Sequence, residues 1–156
     1  MAKLQTDLRE FIALLNSRAV EYLIVGGHAV AFHGHPRFTG DIDFFVRTTA
    51  ENAQRLLSVL NAFGFGDVGI TAADLLTPDK VIQLGRPPNR IDMLTSISGV
   101  DFESAWSARV EAALDGQRVC FLGWNDLLRN KNAADRPQDR ADVEKLLAIA
   151  RRKGAG

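Results

Sequence analysis

The sequence predicts an α+β protein, a mixed β-sheet with helices packed on it. Three observations point there. Short apolar, β-prone runs such as Tyr22 to Val25 and Ile42 to Val46 are bounded by glycine and polar residues. Between and after them, apolar residues recur at helical spacing. Asp115-Gly116, flanked by two further β-prone runs, is a strong short hairpin signal. At 156 residues, the chain fits one domain covering 1–156.

In chain order, Leu4, Leu8, Phe11, Ile12, Leu15 and Ala19 mark a first helix, with Thr6 or Asp7 as its N-cap. Tyr22 to Val25 reads as a buried strand that stops at Gly26-Gly27. Gly27 to His33 follows as a short helix ended by Gly34 and Pro36, and Ile42 to Val46 is the second strand. Thr48 with Glu51 forms a capping box ahead of Leu56, Leu57, Leu60 and Phe63, and Gly64 stops that helix. Val81 to Leu84 and Arg90 to Leu94 are strands joined by a turn-rich loop from Gly85 to Asn89. Asp101 to Trp106 is a short helix, and Arg109 to Leu114 pairs with Gln117 to Leu122 as the hairpin. Two helices close the chain, one from Trp124 to Ala134 and one from Pro137 with Val143, Leu146, Leu147 and Ala150 on one face. Arg151 to Gly156 reads as a frayed tail.

Composition narrows the function classes. At 46% hydrophobic and 24% charged, the chain can bury an ordinary core. Lys and Arg number 19 and so do Asp and Glu, so no global field advertises nucleic acid or membrane. A tRNA substrate would need a local basic patch. From Trp124 onward eight Lys and Arg face five Asp and Glu, a net of +3 that turns the tail toward anionic partners. Cys120 is the only cysteine, which rules out an intramolecular disulfide and suits a reducing cytoplasm. The first ten residues carry no apolar leader core, and no stretch is apolar for long enough to span a bilayer. A cytoplasmic protein without membrane contact is expected.

The chemistry concentrates between Tyr22 and Val46. A strand that ends in two glycines and opens a helix aims free backbone N–H groups and a positive helix end at one spot, which favours phosphate. Asp41 and Asp43 lie two apart on a strand and so project from one face. Neighbouring carboxylates repel unless a cation neutralises them, and oxygen-only ligands suit Mg²⁺ or Mn²⁺ rather than zinc. Either feature alone is a common accident. Together, in this order and flanked by apolar residues, they carry more weight.

Val25-Gly26-Gly27, thirteen residues, then Asp41-Ile42-Asp43-Phe44 resembles the signature of the polymerase-β-like nucleotidyltransferase superfamily. That signature is an apolar residue, Gly, Gly or Ser, a spacer, and Asp-x-Asp between apolar residues. The superfamily's third carboxylate, on a neighbouring strand, is matched by Ile91-Asp92-Met93. The run from Lys131 through Arg136 and Asp139 to Asp142 is similar to the late Lys and Arg-x-x-Asp-x-x-Asp element of minimal nucleotidyltransferases and the AbiEii-type toxin group. The resemblance covers Tyr22 to about Leu147. It departs at Gly27, where many members carry a Ser hydroxyl, and Thr39 is the candidate replacement. The chain also lacks a long helical extension for an acceptor.

The resemblance implies a nucleotidyltransferase-like sheet and transfer of a nucleoside monophosphate from an NTP to a hydroxyl of an RNA, protein or small molecule. It implies Mg²⁺ or Mn²⁺ bridged by Asp41 and Asp43 and completed by Asp92. Gly26 and Gly27, with Thr39, would hold phosphates, and Lys131 would place a point charge on the triphosphate. The partners so implied are NTP, a tRNA or protein acceptor, and a cognate toxin or antitoxin. A nucleotide-binding regulatory or antitoxin module with little turnover is the competing class.

Other polar residues have weaker patterns. Lys131 is equally read as a solvated helix lysine, and Arg136, Asp139 and Asp142 as a structural network that pins the last helix. Arg37 divides between a phosphate contact and a surface charge. His28, His33 and His35 lie within eight residues, but their spacing does not put all three on one helical face. Trp106, Trp124, Phe44 and Phe45 read as core or rim.

Overall fold

The computed structural model describes residues 6–36, 40–66, 68–85 and 90–155. The elements are α1 (Thr6–Ser17), β1 (Tyr22–Val25), α2 (Gly26–Phe32), β2 (Ile42–Val46), α3 (Ala50–Ala62), α4 (Ala72–Leu76), β3 (Val81–Leu84), β4 (Ile91–Leu94), α5 (Phe102–Ser107), β5 (Val110–Leu114), β6 (Gln117–Phe121), α6 (Trp124–Ala134) and α7 (Pro137–Ala155). The strands form one mixed sheet in the order β3-β4-β2-β1-β6-β5. β1 runs antiparallel to β2 and parallel to β6, β2 runs parallel to β4, and the outer pairs β3–β4 and β5–β6 are antiparallel. The expected α+β architecture is the observed one.

The central strands are covered on both sides. Every residue of β1 is buried, as are Ile42, Phe44, Phe45 and Val46 of β2. Continuous apolar runs of this kind suit strands without a solvent face. Phe11, Ile12 and Leu15 of α1 join Leu56, Val59 and Leu60 of α3 in the same core. Phe44 stands between the rings of Phe11 and Tyr22, with centroids 5.7 and 5.4 Å away. Among the described residues no helix is long and apolar enough to cross a membrane.

Local differences from the sequence expectations have local causes. α1 ends at Ser17 rather than reaching Ala19, because Ala19 takes φ 56° and Val20 N–H bonds back to Leu15 O at 2.9 Å, a left-handed helix stop. Thr49 replaces Thr48 as the cap of α3, its hydroxyl accepting from Asn52 N–H. Short α4 was not foreseen, although Thr71 and Asp74 form a full capping box in front of it. α7 continues through the stretch expected to fray, and Leu147 is 39% exposed whereas Leu146 is fully buried. The Asp115-Gly116 hairpin forms as expected, with φ 50° and 80° at the two turn residues.

Candidate active site

Sheet register assembles the carboxylates. Asp43 lies opposite Val25 of β1 on one side and opposite Asp92 of β4 on the other. Ile42 pairs with Ile91 in the same parallel ladder, so the residues just before them, Asp41 and Arg90, also meet. With a side-chain period of two, Asp41, Asp43, Arg90 and Asp92 share one face of the sheet. The Asp-x-Asp of one strand therefore faces an Arg-x-Asp on the next.

The glycine turn closes on this row. Gly26 follows Val25 directly and takes φ +67°, a conformation that penalises a side chain. A Cβ there would stand 2.3 Å from Asp43 Oδ2. Glycine is thus demanded twice, by the backbone and by the carboxylate. No side-chain cap covers the N-terminus of α2 behind it, which leaves its first N–H groups uncommitted to a cap.

Among the described residues, one cation, Arg90, bonds two of these three carboxylates. Arg90 Nε donates to Asp92 Oδ1 at 2.8 Å and Nη2 to Asp92 Oδ2 at 3.2 Å, while Nη2 also reaches Asp41 Oδ2 at 3.1 Å. Burial pushes the Asp43 carboxyl up to about 6, and the Asp92 charge, a hydrogen bond with Asp92 and the Asp41 charge push the same way against Arg90.

A cavity of about 440 Å³ opens beside the row, lined by Gly26, Asp43, Ser96, Ser98, Lys131 and Arg136 among others. Its far wall is α6 packed against the turn after β4. Gly99 sits there at φ +71°, and a Cβ on it would meet Ala133 Cβ at 2.6 Å. Asn130 donates to Ser98 O at 3.0 Å and fastens the two.

Lys131 is not a solvated helix lysine. Its side chain is 6% exposed, and its ammonium bonds Asp139 Oδ1 and Asp142 Oδ2, each at 3.1 Å. Arg136 holds Asp139 from the other side through Nε at 2.6 Å. Burial alone would raise Asp139, but hydrogen bonds from Arg136 and Lys131 outweigh it and hold the carboxyl at about 2. The structural network foreseen for the last helix is present, and it includes Lys131. Arg136 leaves most of its side chain exposed on the cavity wall and feels the Asp43 charge.

A family model described as "nucleotidyltransferase of unknown function (DUF6036)" matches residues 2–151. The chain belongs to that family. It is a nucleotidyltransferase of the polymerase-β-like superfamily. No curated protein matches it in sequence. Solved structures show the fold at low identity. A lincomycin-bound lincosamide antibiotic adenylyltransferase aligns at TM-score 0.57 and 16% identity, over 96% of this chain and 99% of that one. The antibiotic-resistance factor ANT(2'')-Ia aligns at 0.52 and 17%, over 96% and 92%. A nucleotidyltransferase-like protein from Paracoccidioides brasiliensis aligns at 0.53 and 19%, over 95% and 79%.

The nucleotidyltransferase fold thus brings Asp41, Asp43, Asp92 and Gly26 into one corner, with Gly27 beside them on α2 and Lys131 on the facing wall. Thr39 and Arg37 lie outside the described residues. Among the described residues, no three His, Cys, Asp or Glu side chains already stand in a metal-holding arrangement; the Arg90 fork instead spans Asp41 and Asp92. The donor set nonetheless fits a hard divalent cation. It is all oxygen and brings three carboxylates together. His33 Nε2 bonds Leu122 O at 2.7 Å and its ring packs edge-on against Trp124. Sequence reasoning missed Arg90, although aligning Asp41-Ile42-Asp43 with Arg90-Ile91-Asp92 as parallel strands would have found it.

Proposed function

We propose that this nucleotidyltransferase moves a nucleoside monophosphate from an NTP to a hydroxyl group in a divalent-metal-dependent reaction. The observation that carries the proposal is the register pair Asp43–Asp92, pressed against Gly26 at the edge of the cavity. Asp41, Asp43 and Asp92 would hold Mg²⁺ or Mn²⁺, which when bound supplies charge neutralisation to the phosphates and acidity to the attacking hydroxyl. Gly26 and Gly27 bring bare backbone close to the phosphate chain, and Thr39 is the candidate hydroxyl for it. Arg136 offers the exposed guanidinium of the opposite wall. Lys131 meets the nucleotide from within a neutralised network, and therefore chiefly positions Arg136 through their shared Asp139. Asp92 receives the proton of the acceptor hydroxyl at its carboxylate once Arg90 has turned away.

The acceptor this favours is a small hydroxylated molecule. The cavity has the size of a small-molecule site, and the first of the structural neighbours is an adenylyltransferase of lincosamide antibiotics. A tRNA or protein end, or a partner in a toxin–antitoxin pair, would have to approach from outside it. A cytoplasmic setting, rich in NTP and Mg²⁺, suits the reaction.

The deciding experiment incubates the protein with each of four α-labelled NTPs and Mg²⁺, against panels of small hydroxylated compounds, total tRNA and cell lysate. Label on a small compound, abolished by Asp43→Asn, is the expected result. Label on RNA or protein alone would overturn the acceptor class. Bound nucleotide with no label anywhere would leave a nucleotide-binding module.

A further inference from the structure

We propose that Arg90 is a resident counter-ion of the carboxylate corner, held where a divalent cation belongs and released when one binds, so that it sets the metal affinity. The inference rests on the metal-dependent reading above. Its ground is the geometry of a single side chain. Arg90 engages both oxygens of Asp92, at 2.8 and 3.2 Å, and one of Asp41, at 3.1 Å. Those are ligand atoms of two of the three carboxylates expected to hold metal. A divalent ion on those oxygens competes with the guanidinium, because both draw on the same carboxylate charge and the two cations would repel at contact distance.

The same contacts would hold the corner together in the metal-free protein. Three carboxylates on one face would otherwise drive the strands apart, and a planar fork two residues from Asp92 satisfies two of them at once. Arg90 also borders solvent: its side chain is 26% exposed, against 10% for Asp92 and 38% for Asp41. Loading metal then requires breaking a bidentate ion pair, which lowers the affinity for the free ion. A lysine ammonium can touch two carboxylates, as Lys131 does, but it cannot grip both oxygens of Asp92 as a planar fork does.

Mn²⁺ titration without nucleotide, followed by electron paramagnetic resonance, tests this on wild type, Arg90→Gln and Arg90→Lys. Arg90→Gln is expected to bind Mn²⁺ about tenfold more tightly, as loss of one charge-assisted pair implies, with Arg90→Lys between. In EDTA, Arg90→Gln should melt below wild type, and saturating Mg²⁺ should close the gap. The wild-type protein supplies a second readout that needs no variant. Its Arg90 Nε–H resonance should shift with Mg²⁺ at the same midpoint as metal binding. Equal or weaker Mn²⁺ binding by Arg90→Gln, or an Nε–H signal unmoved at saturating Mg²⁺, overturns the inference and leaves the metal reading intact. Absence of Mn²⁺ binding to every form overturns both.

Discussion

Two charged clusters face each other across the cavity, and they are built to opposite rules. On the sheet side, among the described residues, Arg90 bonds both Asp41 and Asp92 beside Asp43. On the helix side Asp139 and Asp142 share two cations, Lys131 and Arg136. Asp43 in the first is held up at about 6 by burial and by the charges of Asp92 and Asp41, while Asp139 in the second is held down at about 2 by its bonds to Arg136 and Lys131. Burial acts on both in the same direction, so it is the ratio of partners that separates them. A cluster that has satisfied its own charges ties elements together. One in which, among the described residues, carboxylates outnumber cations is where the proposed metal ion would bind.

The largest expected effect would break the comparison if it failed. Asp142 is fully buried against the Lys131 ammonium, so Asp142→Asn strands a buried charge and should cost about 3–5 kcal/mol of stability. For a chain of this length that lowers the melting temperature by roughly 10 °C. Lys131→Met combined with Asp142→Asn should cost less than the sum of the two, because the pair leaves together. Calorimetric melting of the three variants checks this. An Asp142→Asn protein as stable as wild type but unable to transfer nucleotide would place the helix cluster in the chemistry instead.

How legible this was in the sequence differs between the two clusters for a physical reason. Asp41, Asp43 and Asp92 announce themselves because strand periodicity fixes the face of each residue, and an isolated Asp among Ile, Met and Phe is conspicuous. Lys131, Asp139 and Asp142 lie on two helices, where a charged residue reads equally as solvated surface. Only the packing of α6 on α7 reveals that they are buried. Arg90 was hidden by a third cause, since its meaning depends on which strand lies beside β4 and in what register. The elements followed the same division. Strands and the Asp115-Gly116 hairpin carry strong local codes, whereas α4 spans five residues, too few for periodicity to register.

The second prediction sharpens the sheet cluster. Asp92→Asn should leave nucleotide affinity within a few-fold of wild type yet slow transfer by about a hundredfold or more, the mark of an interaction made only in the transition state. It should destabilise the metal-free fold less than Asp142→Asn does, because losing the Arg90 pair is offset in part by removing one member of a like-charged set. Single-turnover rates beside nucleotide titrations separate the two effects. A variant that transfers as fast as wild type would remove Asp92 from the chemistry.

The smallest effect carries the sign of the comparison, and pH reads it in the metal-free protein. For Asp43 the ordinary carboxyl value is 3.8 and the folded value about 6, so between those limits the folded state binds more protons than the unfolded one. Stability must then fall as pH rises from about 4 to 6. For Asp139 the folded value of about 2 lies below the ordinary 3.8. Its contribution is fully present above pH 4 and is lost as pH falls toward 2. The melting temperature of wild type in EDTA, taken relative to Asp43→Asn, should therefore decline by a few degrees between pH 4 and 6. Saturating Mg²⁺ should abolish that decline, since a bound cation favours the ionised Asp43 carboxylate. Relative to Asp139→Asn, the wild-type advantage should instead be constant above pH 4 and shrink below it. Two carboxylates some residues apart in role would thus report opposite slopes from one protein. If both slopes had the same sign, the sheet corner would already be as well neutralised as the helix network, and its need for a cation would have to be given up.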